Sequence, residues 1–119
     1  MQYMLLIYNA PDAGPSIDSP EGAAKHAEWG QYTEALHAAG IFVAGDALNP
    51  ATDATTVRVR GDRVVTDGPF AETKEWLLGY YVINVDDLDT ALDWAAKMPN
   101  ITYGSVEVRP VWDFAATPA

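Results

Sequence analysis

The apolar positions along the chain fall into short runs with two different periods. Residues 2–8 carry no charge, with Tyr3, Leu5 and Ile7 on one side of an extended chain and Met4, Leu6 and Tyr8 on the other. A strand apolar on both faces is central and covered on each side. Pro11 to Asp18 is rich in Pro, Gly, Asp and Ser and reads as a loop. Ser19-Pro20-Glu21 is a helix start, with Ser as N-cap, Pro in the first turn and Glu against the positive helix end. The helix should run to about Ala39, with Gly40 as its stop. Trp29, Tyr32, Leu36 and Ala39 recur at helical spacing as its core stripe, flanked by His26, Thr33 and His37. That flank meets either solvent or a pocket at the helix–sheet boundary.

Ile41 to Gly45 is a second strand ending at Asp46, and Asn49-Pro50 breaks the chain after it. Residues 55–60 and 63–66 alternate on either side of Gly61-Asp62, the pattern of a hairpin with a two-residue turn. Arg58 and Arg60 share a face of it, most simply as solvated arginines. Leu77 to Val85 is again apolar on both faces, and Gly79 within it marks a bulge or a close approach. Asp86-Asp87 open a second helix, whose stripe is predicted as Leu88, Ala91, Leu92 and Ala95, with Trp94 off it against a neighbouring element. Ser105 to Phe114 alternates as the last strand. With the hairpin set aside, the order is βαββαβ, a ferredoxin-like α+β fold with an inserted β-hairpin, an antiparallel sheet and two helices on one face. The second face, apolar in the first and fifth strands, would be left open in a monomer, which predicts a face-to-face homodimer.

Composition narrows the classes of function. At 119 residues the chain is one domain, and 49% hydrophobic with 20% charged residues suits a soluble globular protein. Seventeen acids against seven bases give a formal charge of −10, which argues against a nucleic-acid partner. No cysteine is present, so disulfides and thiolate metal sites are excluded. The apolar run at residues 1–8 is too short for a signal peptide or a membrane span, so no membrane partner and a cytoplasmic location are expected. His26 and His37 are eleven residues apart, roughly 16 Å along a helix, and cannot share one metal ion.

The densest chemistry lies in Thr66 to Trp76. Asp67, Glu72 and Glu75 offer carboxylates, Lys74 an ammonium and Thr73 a hydroxyl, displayed at a strand end by the turn at Gly68-Pro69. Two readings of Asp67 stand side by side. Carboxylates before Gly-Pro are commonly turn formers, whereas in a small-molecule enzyme Asp67 would be the acid or base. In the second reading Thr73 and Lys74 orient the substrate, and Glu72, Glu75, Asp46 and Tyr32 are further contacts. There is no nucleophile elbow, no phosphate-binding glycine loop and no metal-ligand cluster, so such catalysis would be cofactor-free or would use a cofactor whose site leaves no local signature, and none is expected.

The run VTDGPFAETKE at 65–75 resembles the signature of the DGPF family within the YCII-related superfamily. ATTVRVR before it, GYYVINVDDLDTALDWA after it and VEVRPV near the end fit as well. The resemblance implies a ferredoxin-like subunit in a dimeric α+β barrel. In the superfamily some members carry a His–Asp pair in a cleft, which here would join His26 to Asp46 or to Asp67. The first helix departs from the Arg-x-x-His-Leu pattern of the YciI-like branch, since it reads Ala24-Lys25-His26-Ala27-Glu28. The resemblance also implies a bacterial regulatory setting, because relatives occur beside or fused to sigma factors, so a protein partner is a further expectation. Two functions follow: a cofactor-free acid–base enzyme acting on a small molecule near the motif, or a non-catalytic ligand-binding or regulatory module.

Overall fold

The structure, a computed structural model, describes residues 1–67 and 74–115, and the side chains of all of these except 60 and 63–67. Strand β1 (Gln2–Asn9) leads through a loop into α1 (Pro20–Ala38), then β2 (Phe42–Ala47). A single 3-10 turn (Ala51–Asp53) precedes β3 (Thr55–Arg60) and β4 (Asp62–Asp67). The chain closes with β5 (Trp76–Asn84), α2 (Leu88–Ala95) and β6 (Ser105–Pro110). Four strands form one antiparallel sheet in the order β2-β5-β1-β6, while β3 and β4 form a sheet of their own. This is the ferredoxin-like arrangement with the hairpin inserted between β2 and β5.

Alternation along β1 sorts the sheet into two faces. Tyr3, Leu5 and Ile7 are buried against both helices, and Ile83 and Val85 join them beneath Tyr32, Leu36, Ala91, Ala95 and Met98. Met4, Leu6 and Tyr8 point the other way and are half-buried. Leu5, Leu36 and Ile83 have no exposed surface, and each such side chain contributes about 1.5–3 kcal/mol through burial.

The ends of α1 are set by local chemistry. Ser19 Oγ accepts from the Gly22 amide at 2.9 Å and donates to Ser16 O at 2.6 Å. At the far end Gly40 adopts φ +71°, and the Gly40 and Ile41 amides return to His37 O and Leu36 O. That double return closes the helix and needs a residue free to be left-handed.

Several expectations are corrected. The stripe of α2 is rotated in part: Ala91 and Ala95 are buried and Trp94 packs beside them as expected, but Leu88 and Leu92 are 46% and 45% exposed and Met98 completes the buried line. Residues 91, 94, 95 and 98 also follow helical spacing, and the two alanines let the helix lie close to the sheet. Ala39 caps α1 in an exposed position rather than extending its stripe. Strand β6 stops at Pro110; one further bond, Val111 N to Gln2 O at 2.9 Å, uses up the partner strand, and Trp112 is 67% exposed. At the hairpin tip Asp62 pairs with Arg60, leaving Gly61 alone at the turn with φ +82°.

Candidate functional site

A cavity of 430 Å³ opens between α1 and the edge of the sheet where β1, β2 and β5 meet. Its size suits a small organic molecule. Helix α1 brings three residues to it: Trp29, half-buried against the core, Thr33, half-buried on the flank of the stripe, and His26, which is exposed. The wall is largely apolar and aromatic, with Phe42 from β2 and Tyr81 from β5.

Two glycines shape the floor. A Cβ on Gly45 would stand 2.7 Å from the Tyr81 ring, so only glycine lets that ring lie across β2. A Cβ on Gly79 would stand 2.6 Å from Asp46 O, so β5 and β2 can close on each other there. Opposite Gly79 the register of β1 shifts between Ile7 and Tyr8, which makes this glycine both a close approach and part of a bulge.

Tyr81 is fixed from several sides. Its ring meets Phe42 edge-on at 6.3 Å and Tyr32 at 5.6 Å. Its hydroxyl lies 2.5 Å from Thr33 Oγ1, which in turn lies 3.0 Å from Trp29 O. A carbonyl only accepts, so Thr33 donates its one proton to Trp29 and accepts from Tyr81. The relay holds α1 to β5 along the cavity wall.

A second polar pair sits at the sheet edge. Tyr80 OH donates to Asp46 Oδ2 at 2.7 Å, and the hydrogen bond to that carboxylate, with its charge, raises the Tyr80 phenol above its ordinary range. Asp46 and Tyr80 are register partners, as are Gly45 and Tyr81. Alternation puts Gly45 and Tyr81 on the helix side and the paired side chains of Asp46 and Tyr80 on the other, although both residues border the cavity at the edge of the sheet.

The other sequence candidates are dispersed. Tyr32 is buried, and its hydroxyl is committed to Trp94 O at 2.7 Å beneath the edge-on Trp94 ring; burial pushes its phenol up. His37 is exposed and stacks on Phe42 with ring centroids 4.1 Å apart. Lys74 is exposed, and Glu75 accepts from Ser105 Oγ at 2.7 Å. Asp67 ends β4, with its side chain outside the described residues, as are Glu72 and Thr73 altogether. Among the described residues, His26 and Asp46 are thus the two candidates that border one cavity. Among the described residues no group of three His, Cys, Asp or Glu could hold a metal ion, and no helix is long and apolar enough to cross a membrane.

Sequence reasoning did not single out Trp29, Phe42, Tyr80 or Tyr81 as wall residues. The paired glycines at 45 and 79 were the available signal, since each marks where one strand crowds another.

The fold has known counterparts. A solved structure of 5-chloro-2-hydroxyhydroquinone dehydrochlorinase from Burkholderia phenoliruptrix, in complex with 2,5-dihydroxybenzoquinone, superposes with a TM-score of 0.54 over 95% of this chain and 94% of that one, at 14% identity. An uncharacterised protein of Rhizobium meliloti (strain 1021) is 52% identical over 67 residues, which is 54% of this chain and about half the length of that relative. The YCII-related domain matches across residues 1–115, and the chain belongs to that family.

Proposed function

We propose that the cavity between α1 and the sheet edge is a small-molecule site that takes a planar, oxygenated aromatic compound, and that His26 serves it as a cofactor-free general acid or base. The observation that carries this reading is the wall itself. One imidazole stands among Trp29, Thr33, Phe42 and Tyr81, in a space that fits a single ring and its substituents. Histidine is the side chain whose ordinary titration lies nearest neutrality, so it can both take and return a proton there. The dehydrochlorinase of similar fold is an enzyme and holds 2,5-dihydroxybenzoquinone, which supports the same ligand class here.

The test is a thermal-shift screen of hydroxylated aromatics and quinones, followed by turnover assays of every compound that binds. A ligand at one hundred times its dissociation constant adds about 2.7 kcal/mol, several degrees in midpoint. His26→Gln should abolish turnover while leaving binding within about tenfold, because a proton-transfer group contributes mainly to the transition state. Binding with no turnover in the wild type would favour a non-catalytic ligand-responsive module. Silence from every compound would sink the assignment.

The same reading includes a homodimer of DGPF type. Met4, Leu6, Tyr8 and Val82 share the sheet face that neither helix covers, and Glu107 and Arg109 stand opposite Leu6 and Met4 on β6. An apolar centre with one charge of each sign beside it can meet a copy of itself across a two-fold axis.

A further inference from the structure

Asn9 ends β1 and lines the cavity from the side opposite α1's partner strand β2. The orientation of its amide is decided by a second asparagine, Asn100, which follows α2 and has no exposed surface. One amide atom of Asn100 lies 3.4 Å from Tyr8 O and 3.4 Å from Ser105 O. Both are backbone carbonyls and can only accept, so that atom is the donor Nδ2. The same Nδ2 lies 3.0 Å from the Asn9 amide, which must therefore present its acceptor, Oδ1. What remains of Asn9 is Nδ2, an atom that can only donate and that has no partner among the described residues.

The surroundings are built to keep this arrangement. A Cβ on Gly104 would collide with Asn9 Oδ1, so a glycine makes the room, and the Gly104 amide ties back to Asn100 O at 2.7 Å. Asn100 Oδ1 is buried with no partner among the described residues. Leaving a buried acceptor empty is unfavourable. The alternative flip would instead set that oxygen against two carbonyls and the Asn9 oxygen. The amide is held in one orientation by its neighbours, and Asn9 inherits it.

We propose that Asn9 is a ligand-binding residue of this cavity. Its Nδ2 donates to an oxygen acceptor, such as a phenolate, carboxylate or carbonyl, on the small molecule, and Asn100 is the positioning residue that sets the donor. The proposal rests on the cavity being a small-molecule site and adds the chemistry that the ligand must present on its β1 side. It sorts hydroxylated rings by ionisation, since a donor prefers an ionised oxygen to a protonated one.

The test uses two probes of nearly one shape, pentafluorophenolate and pentafluorobenzene, at neutral pH with binding read by fluorine NMR. The wild type should prefer the phenolate. Asn9→Asp keeps the oxygen that Asn100 holds and replaces the donor by an acceptor, so the phenolate should lose about tenfold or more in affinity while pentafluorobenzene is unchanged. Asn9→Ser should lose the preference more mildly. Asn100→Ser should also shrink the ratio between the two probes, a quantity that general loss of stability would not move. If both probes bind and neither Asn9 variant alters their ratio, Asn9 has no such role and the cavity reading stands. If neither probe binds the wild type, both readings fall together.

Discussion

Removing the hydroxyl of Tyr32 separates a core role from a ligand role. That hydroxyl is spent on Trp94 O inside the protein. Tyr32→Phe should therefore cost about 0.5–1.5 kcal/mol, measured by denaturant unfolding, because one hydrogen bond is lost while Trp94 O keeps the Lys97 amide as a donor at 3.2 Å, and ligand affinity should not change. Tyr80 tests the opposite environment. Its phenol is raised by the hydrogen bond and charge of Asp46, so the folded state holds this proton more tightly than the unfolded chain. The associated stability is full below the ordinary phenol range and is lost as pH rises through the raised value. Tyr80→Phe should flatten that alkaline limb, and Asp46→Asn should bring one tyrosine back to ordinary titration in an ultraviolet pH scan. At this scale the sequence was legible only in part. His26 stood on a helix flank and Asp46 at a strand end, both places readable from spacing. Asn9 was not, because its meaning depends on Asn100, 91 residues away. No local pattern announces which amide will face which.

Helix α2 carries the lesson for elements. Its apolar residues fit two overlapping stripes, and counting hydrophobicity selects the one with Leu88 and Leu92. Packing selects the other, because Ala91 and Ala95 allow the helix to sit low on the sheet while Trp94 reaches across to Tyr32. Two substitutions make this measurable. Ala91→Leu should destabilise by about 1–3 kcal/mol through overpacking, whereas Leu92→Gln should stay within about 0.5 kcal/mol, as exposed sites do. The helix start was better foretold: Asp87 Oδ1 accepts from the Thr90 amide at 2.8 Å and from its hydroxyl at 2.7 Å. Those bonds hold the Asp87 carboxyl below its ordinary range. Its charge-dependent contribution is present above that range and fades as pH falls through the lowered value, so Asp87→Ala should cost most near neutrality and less in acid, read by thermal unfolding at both pH values. Strand order and the two-faced sheet followed from alternation and turn residues, which are local. The cavity did not, because it arises where a glycine in β2, a glycine in β5 and a turn of α1 converge.

For the whole molecule, the sheet face that neither helix covers makes the main demand. Light scattering at micromolar concentration should report twice the 12.9 kDa of the chain, and Leu6→Asp, on the face away from the helices, should return it to one copy. A particle of single-chain mass for the wild type would refute the pairing. Charge is also unevenly spread: three of the seven basic residues, Arg58, Arg60 and Arg63, belong to the hairpin, beside only two of the seventeen acids, Asp62 and Asp67.

The place of that hairpin in the chain has a consequence for how the molecule can be rebuilt. Ala47 is already the register partner of Gly79, and Leu48 N reaches Leu78 O at 2.7 Å, so β2 and β5 would be ordinary neighbours without anything between them. Everything from about residue 49 to 75 is an excursion that leaves and rejoins the sheet at one point. Closing so long an excursion costs only about 2 kcal/mol more than closing a short turn. The architecture is thus a chassis with an inserted arm: an experimenter can graft another peptide in place of the hairpin, short of Glu75, which Ser105 holds, and the register of the four strands should survive.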